Sequence, residues 1–168
     1  TVEDPIRGAG DPDYRRWGPG YWFQNTRLIY WPMLASGDYD LMQPFFKMYR
    51  DALPLARERT RIYYGHGGAF FGETVYAWGV YANDHYGWKR EGKPVDFVVC
   101  PQIRRYWQGG LELCAIMLDY YEHTQDEVLA RNTMIPIIEA VLDFYDQHYP
   151  RDPDGLLRIT PGQALETW

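Results

Sequence analysis

Apolar residues recur at intervals of three and four along most of the chain, which is the spacing of an amphipathic helix. Leu41, Phe45 and Met48 follow this rule in one stretch, and Ile137 and Val141 follow it in another. The alternating pattern of a half-buried strand occurs only in short stretches. The pattern predicts five helices, over about residues 21–35, 38–64, 69–79, 104–123 and 124–149.

Polar and conformationally special residues mark where these helices begin and end. Ser36-Gly37 closes the first helix, and Asp38 offers an N-cap for the second. Thr124-Gln125-Asp126-Glu127 matches the capping box, in which Thr accepts from a backbone N–H three residues on and Glu reaches back. Pro54 and Pro136 lie inside predicted helices, so we expect a kink at each.

Stretches rich in glycine, proline and polar residues separate the helices. Residues 1–20 lack periodicity and predict an irregular N-terminal segment. Residues 80–103 predict a long loop, and loops of that length in a compact domain are usually functional. Asp152-Pro153-Asp154-Gly155 predicts a turn that leads into an extended stretch at 156–168. The chain is therefore predicted to be all-α and built of helical hairpins.

The two ends of the chain indicate an excised piece of a larger domain. It begins at Thr1 without an initiator Met, and it stops at Glu166-Thr167-Trp168 without a polar tail. Five helices are also too few to close a ring of six helical hairpins. We therefore expect residues 1–168 to form a single fragment of one domain.

The composition excludes several classes of function. Aromatic residues make up 17% of the chain, with 7 Trp and 15 Tyr, and such rings either fill a core or stack against sugars. The net charge of -6, with no cationic cluster beyond residues 57–61, disfavours a nucleic-acid surface. No stretch approaches the 18 or so consecutive apolar residues that a membrane span requires.

The cysteines and histidines do not predict a metal or cofactor site. Cys100 and Cys114 are too few for a disulfide framework or a metal pattern, although one disulfide is possible in an oxidising compartment. The four histidines are scattered without the spacing of metal ligands. We therefore expect no metal and no cofactor.

Four acidic residues are candidates for the chemistry of sugar hydrolysis, which needs a carboxylic acid and a second group to activate water. Glu166 follows a non-helical approach where apolar neighbours would raise its pKa. Glu73 lies in an otherwise apolar stretch, where either a cleft or an ion pair with an arginine would accommodate its charge. Glu112 and Asp119 are seven residues apart and share a helix face, and a structural role is favoured for Asp119.

The residues around Asn25 resemble a known family. Gln24-Asn25-Thr26 leading to Tyr30-Trp31-Pro32 is similar to the N-T-x-x-x-Y-W-P stretch of glycoside hydrolase family 95, the α-L-fucosidases. In that family the asparagine helps to position and activate the hydrolytic water, relying on an aspartate further along the chain. The resemblance implies this role for Asn25 and an aspartate beyond Trp168 that completes the base.

Two later stretches are similar to the same family, in the same order. Gly109-Gly110 followed by Tyr120-Tyr121 is similar to its G-G-A-W-L helix ending in W-E-H-Y, with Asp119 where that glutamate stands. Asp152-Pro153-Asp154-Gly155 through Glu166 is similar to its D-P-D-G segment leading into P-S-x-S-P-E-N. The resemblance therefore implies that Glu166 is the general acid.

The resemblance also implies a fold, a reaction and a location. The fold would be part of an (α/α)6 barrel of the six-hairpin glycosidase class, in a periplasmic or secreted protein. The reaction would be inverting hydrolysis of a glycosidic bond in an oligosaccharide or polysaccharide. Phe23 replaces a second asparagine of the family, and residues 71–75 replace its H-H-N-T-D run. The resemblance therefore does not identify the sugar that the protein recognises. The residues expected to bind the sugar are Glu73, Asp84, Trp88, Trp107, Glu112 and Asp119.

Two other functions fit the same barrel. One is a non-catalytic sugar-binding or scaffold protein that has kept the fold and lost the chemistry, because a fold does not determine function. The other is a different reaction on the sugar, such as phosphorolysis or lyase cleavage.

Overall fold

The computed structural model describes residues 20–81, 89–100, 105–106 and 108–163. Helices dominate this part of the chain, which confirms the prediction of an all-α fold. The elements in chain order are β1 (Tyr21–Trp22), α1 (Phe23–Ser36), α2 (Tyr39–Tyr64), β2 (Thr74–Val75), α3 (Gln108–Thr124), α4 (Glu127–Leu129), a π-helical segment (Ala130–Met134) and α5 (Ile135–His148).

The first two helices form an antiparallel hairpin. Gly37 ends α1 in the left-handed conformation, with φ 78°, and its N–H donates to the Met33 carbonyl. Glycine adopts this conformation without a steric cost, so the chain can reverse within two residues. α2 then continues through Pro44 and Pro54 as one assigned helix, in agreement with its predicted bounds.

The second hairpin joins α3 to α4, and its cap differs from the prediction. The Thr124 hydroxyl donates back to the Tyr120 carbonyl over 2.8 Å, because Thr124 is still the last residue of α3. Asp126 is the N-cap instead, and its Oδ1 accepts from Leu129 N at 2.9 Å. The predicted capping box is therefore wrong, although the junction lies where it was expected.

A π-helical segment interrupts the last long helix immediately before Pro136. The Ile135 N–H donates to the Ala130 carbonyl, five residues earlier. Proline has no N–H to donate and its ring clashes with the carbonyl four residues before it. The wider turn accommodates both effects, and α5 then continues to His148.

The predicted helix at residues 69–79 does not form. Residues 69–75 are all buried, β2 lies within this stretch, and Val75 pairs with Tyr81 in an antiparallel bridge. A short apolar run that is buried on every side has no helical periodicity to distinguish it from a buried strand. Its apolar character reflects complete burial, not one face of a helix.

The core lies between α1, α2, α3 and α5. It contains fully buried aromatic and aliphatic side chains from all four helices, among them Phe23, Phe45, Tyr49, Leu113, Ile116, Met117, Ile137 and Phe144. α3 begins at Gln108, four residues later than predicted. Within the described ranges, no helix has the length and apolar character needed to cross a membrane.

Candidate active site

α1 and α3 lie side by side and run in the same direction. A Cβ atom on Gly109, in the first turn of α3, would lie 3.2 Å from the Phe23 ring at the start of α1. One turn further along both helices, Arg27 Nη1 donates to Glu112 Oε1 over 3.0 Å. Because the contacts advance together along both helices, their N-terminal ends meet at one end of the molecule.

The chain that follows α2 packs against this shared end. A Cβ on Gly109 would lie 3.0 Å from the Phe71 carbonyl oxygen, so the close approach depends on glycine at this position. Phe23 N then donates to the Glu73 carbonyl over 3.2 Å, beside the antiparallel pairing of β1 with β2. Glu73 is only 4% exposed. A buried acidic residue therefore lies where β1 leads into α1.

The chain that follows α5 reaches the same end. Residues 152–155 form the predicted turn, in which Gly155 N donates to the Asp152 carbonyl over 2.8 Å. The extended stretch after it pairs with the residues just before α3, since Gln163 N donates to the Arg105 carbonyl over 2.8 Å. The segment that leads towards Glu166 in the sequence is thus anchored beside the start of α3.

Glu112 has a structural partner at this end. Its carboxylate accepts from Arg27 Nη1 at 3.0 and 3.3 Å, and the two side chains are 11% and 23% exposed. The ion pair joins the second turns of α1 and α3, and it holds the N-terminal ends of the two helices together.

The remaining predicted site residues are distributed unevenly. Asn25 lies exposed in the first turn of α1, close to the converging segments. Asp119 is eleven residues from the start of α3, or about 16 Å along the helix axis at the usual rise. The structure therefore brings Asn25, Glu73 and Glu112 to one end and leaves Asp119 away from it. The predicted residues that lie outside the described part of the chain are Asp84, Trp88, Trp107 and Glu166.

Three further residues at this end were not identified from the sequence. Arg27 was missed because its partner is 85 positions away, and no local signal connects them. Within the described ranges, Thr74 Oγ1 and Gln108 Oε1 are buried oxygens that lack a hydrogen-bond partner. A buried oxygen in that state costs about 1–3 kcal/mol unless a ligand or water satisfies it. Both oxygens could accept hydrogen bonds from sugar hydroxyls.

The cysteine, histidine and acidic side chains of the described residues are dispersed. These residues contain no group of three His, Cys, Asp or Glu side chains placed to hold an ion. Cys100 and Cys114 are not joined in a disulfide. Burial raises the pKa of the Cys114 thiol to about 12, which makes it a poor nucleophile.

Comparison with known proteins gives one match. The family model of the glycosyl hydrolase family 95 catalytic domain matches residues 13–168. Searches of curated proteins and of solved structures each found no match. The matched range includes all four helices of the core and every segment that converges at their shared end.

Proposed function

The chain belongs to glycosyl hydrolase family 95, a family of glycoside hydrolases. We propose that it carries the general acid and the water-positioning residue of an inverting, α-L-fucosidase-like active site. Glu166 is the general acid that protonates the leaving oxygen. Asn25 orients the attacking water on the opposite face of the sugar ring. Glu73, Gln108 and Thr74 bind hydroxyl groups of the substrate.

The anchoring of Gln163 on Arg105 is the observation that carries this proposal. The 2.8 Å backbone hydrogen bond holds Gln163, three residues before Glu166 in the sequence, against Arg105, three residues before α3. Asn25 lies in the first turn of the neighbouring parallel helix. An acid that follows this anchored segment in the sequence and a water-positioning group on a separate helix would supply the two functions that glycoside hydrolysis needs.

Asn25 needs a further group to complete the base. A carboxamide can orient a water molecule through hydrogen bonds, but it does not accept a proton at neutral pH. An aspartate beyond Trp168 would take the proton from the attacking water. In an inverting enzyme the acid and base groups lie roughly 6.5–9.5 Å apart, which leaves room for that water.

Leaving-group dependence tests the assignment of Glu166. Glu166→Gln, made in the protein that carries this chain, should lower kcat strongly on a fucosyl oligosaccharide. The loss should be much smaller on fucosyl fluoride, since fluoride departs without a proton from an acid. Glu122→Gln, at an exposed position near the end of α3, is the matched control and should leave both rates unchanged.

The outcome of this comparison is decisive. Equal losses on both substrates, or full activity of Glu166→Gln, would contradict the role of general acid. Proton NMR of the first product formed tests inversion separately, because β-L-fucose should appear before its anomer. First release of α-L-fucose would contradict the inverting mechanism and leave the family assignment intact.

A further inference from the structure

A small hairpin beside the candidate site carries an exposed tryptophan at its tip. Val75 and Tyr81 pair in an antiparallel bridge, and Gly79 N donates to the Tyr76 carbonyl over 2.8 Å to close the turn between them. Trp78 lies in this turn and is 63% exposed. Among the three tryptophans in the described ranges, it is the most exposed.

Contacts with α2 hold the turn in place. Gly79 has φ 83°, and a Cβ on it would lie 2.8 Å from the Ala52 Cβ, so the turn packs closely against the helix. Arg59 Nη2 donates to the Gly79 carbonyl over 2.6 Å. The same guanidinium lies 4.2 Å from the centroid of the Tyr81 ring, and Arg59 is 9% exposed. A buried arginine therefore fixes the backbone that presents Trp78.

The exposed indole also has an aromatic support. The Tyr76 ring lies 4.9 Å from the Trp78 ring, centroid to centroid, at an interplanar angle of 33°. The free energy falls when a flat apolar surface covers an apolar ring of this size and removes it from water. The C–H faces of pyranose rings are such surfaces, and a preformed platform loses little conformational entropy on binding them.

The Tyr76 and Trp78 rings, which we call the platform, lie on the same side of the molecule as the candidate site. Trp78 is five positions after Glu73 in the sequence, which places their Cα atoms at most about 18 Å apart. Gly79 packs on Ala52, and one turn earlier in α2 the Tyr49 ring lies 5.4 Å from Phe23 at the start of α1. An oligosaccharide bound at the start of α1 could therefore extend to the hairpin.

We propose that Trp78, supported by Tyr76, stacks on a sugar residue of the substrate that is remote from the cleaved bond. This inference rests on the proposed glycosidase function, and it specifies an oligosaccharide, not a monosaccharide conjugate, as the substrate class. It predicts that binding energy from the distant sugar contributes to the selection of longer substrates.

Two probes of different length test the platform in the protein that carries this chain. They are para-nitrophenyl α-L-fucoside and lacto-N-fucopentaose I, which presents a terminal fucose on a longer chain. Trp78→Ala should raise KM for the pentasaccharide about three- to tenfold more than KM for the aryl fucoside. Trp78→Phe keeps an aromatic face, so its KM for the pentasaccharide should stay close to that of the parent. Leu142→Ala removes an exposed apolar side chain from α5 and is the control, with no change expected in either KM.

Equal effects of Trp78→Ala on the two substrates would overturn the platform. So would acrylamide quenching that is the same in the parent and in Trp78→Phe, because the indole would then be covered. If the parent hydrolyses neither probe, the proposed function fails independently, and calorimetric binding of the pentasaccharide decides the platform. Weaker binding by Trp78→Ala would support it, and unchanged binding would overturn it.

Discussion

Replacement of Gly68 by alanine should destabilise the protein severely, because the chain after α2 packs against α5 at this residue. Gly68 has φ 82°, which is unfavourable for alanine. An added Cβ would clash with the backbone N of Phe144, would lie 2.5 Å from its Cα and would lie 2.9 Å from the Ala140 carbonyl oxygen. The next residue, Ala69, donates its N–H to the same oxygen over 2.7 Å.

These contacts set the magnitude of the effect. The left-handed conformation costs alanine about 1–2 kcal/mol. Insertion of a methyl group against a helix backbone adds about 1–3 kcal/mol, since backbone atoms cannot move aside as a side chain can. Displacement of Ala69 weakens a buried hydrogen bond worth about 1 kcal/mol. The free energy of unfolding should therefore fall by about 3–6 kcal/mol.

Gly37→Ala is the matched control for the steric part of this effect. Gly37 has φ 78°, but an added Cβ would have no neighbour within 4 Å. Its alanine variant should lose only the conformational cost of about 1–2 kcal/mol. Urea denaturation of both variants, followed by far-ultraviolet circular dichroism, gives the two free energies. Values for the two variants within about 1 kcal/mol of each other would refute the close packing of Gly68 on α5.

Three further predictions concern single interactions. Loss of either Arg27 or Glu112 should lower the free energy of unfolding by about 1–3 kcal/mol, and zero coupling in a double-mutant cycle would contradict the ion pair. Asp126→Ala should cost about 1 kcal/mol, measured by urea denaturation, and Asp126→Asn should retain most of the stability. Burial raises the pKa of the Cys114 thiol from 9.0 to about 12. The contribution of the protonated thiol to the free energy of unfolding is therefore complete below pH 9 and is lost as the pH rises towards 12. Between pH 8 and pH 10 this thiol alone should lower the free energy of unfolding by roughly 1 kcal/mol, a decrease that Cys114→Ala should abolish.

The sequence was most informative where a local signal was sufficient. Helical spacing with glycine at the C-terminal end determined α1 and α2 almost to the residue, because glycine takes the left-handed conformation that ends a helix without a steric cost. The turn at 152–155 followed from its composition, because aspartate, proline and glycine each favour turns through their own backbone or side chain. Family motifs within the sequence also identified the family that the comparison confirmed.

The sequence misled where burial was complete or where several residues competed for one role. The apolar run at 69–75 was predicted as a helix, since complete burial removes the periodicity that separates helices from strands. Asp126 replaced Thr124 as the N-cap because the preceding helix retained the threonine. In both cases the neighbouring elements, not the local residues, determined the conformation.

The sequence by itself therefore determined most of the helices, the turn at 152–155 and the residue types that suit sugar hydrolysis. Only the tertiary structure decided which of those residues meet. Arg27 pairs with Glu112 across 85 positions, and the Gln163 N–H donates to the carbonyl of Arg105, three residues before α3. Such contacts depend on the parallel packing of α1 and α3, which glycine at position 109 and a common core favour. Periodicity along a sequence carries no information about which distant faces pack together, so the site appears only once the helices are assembled.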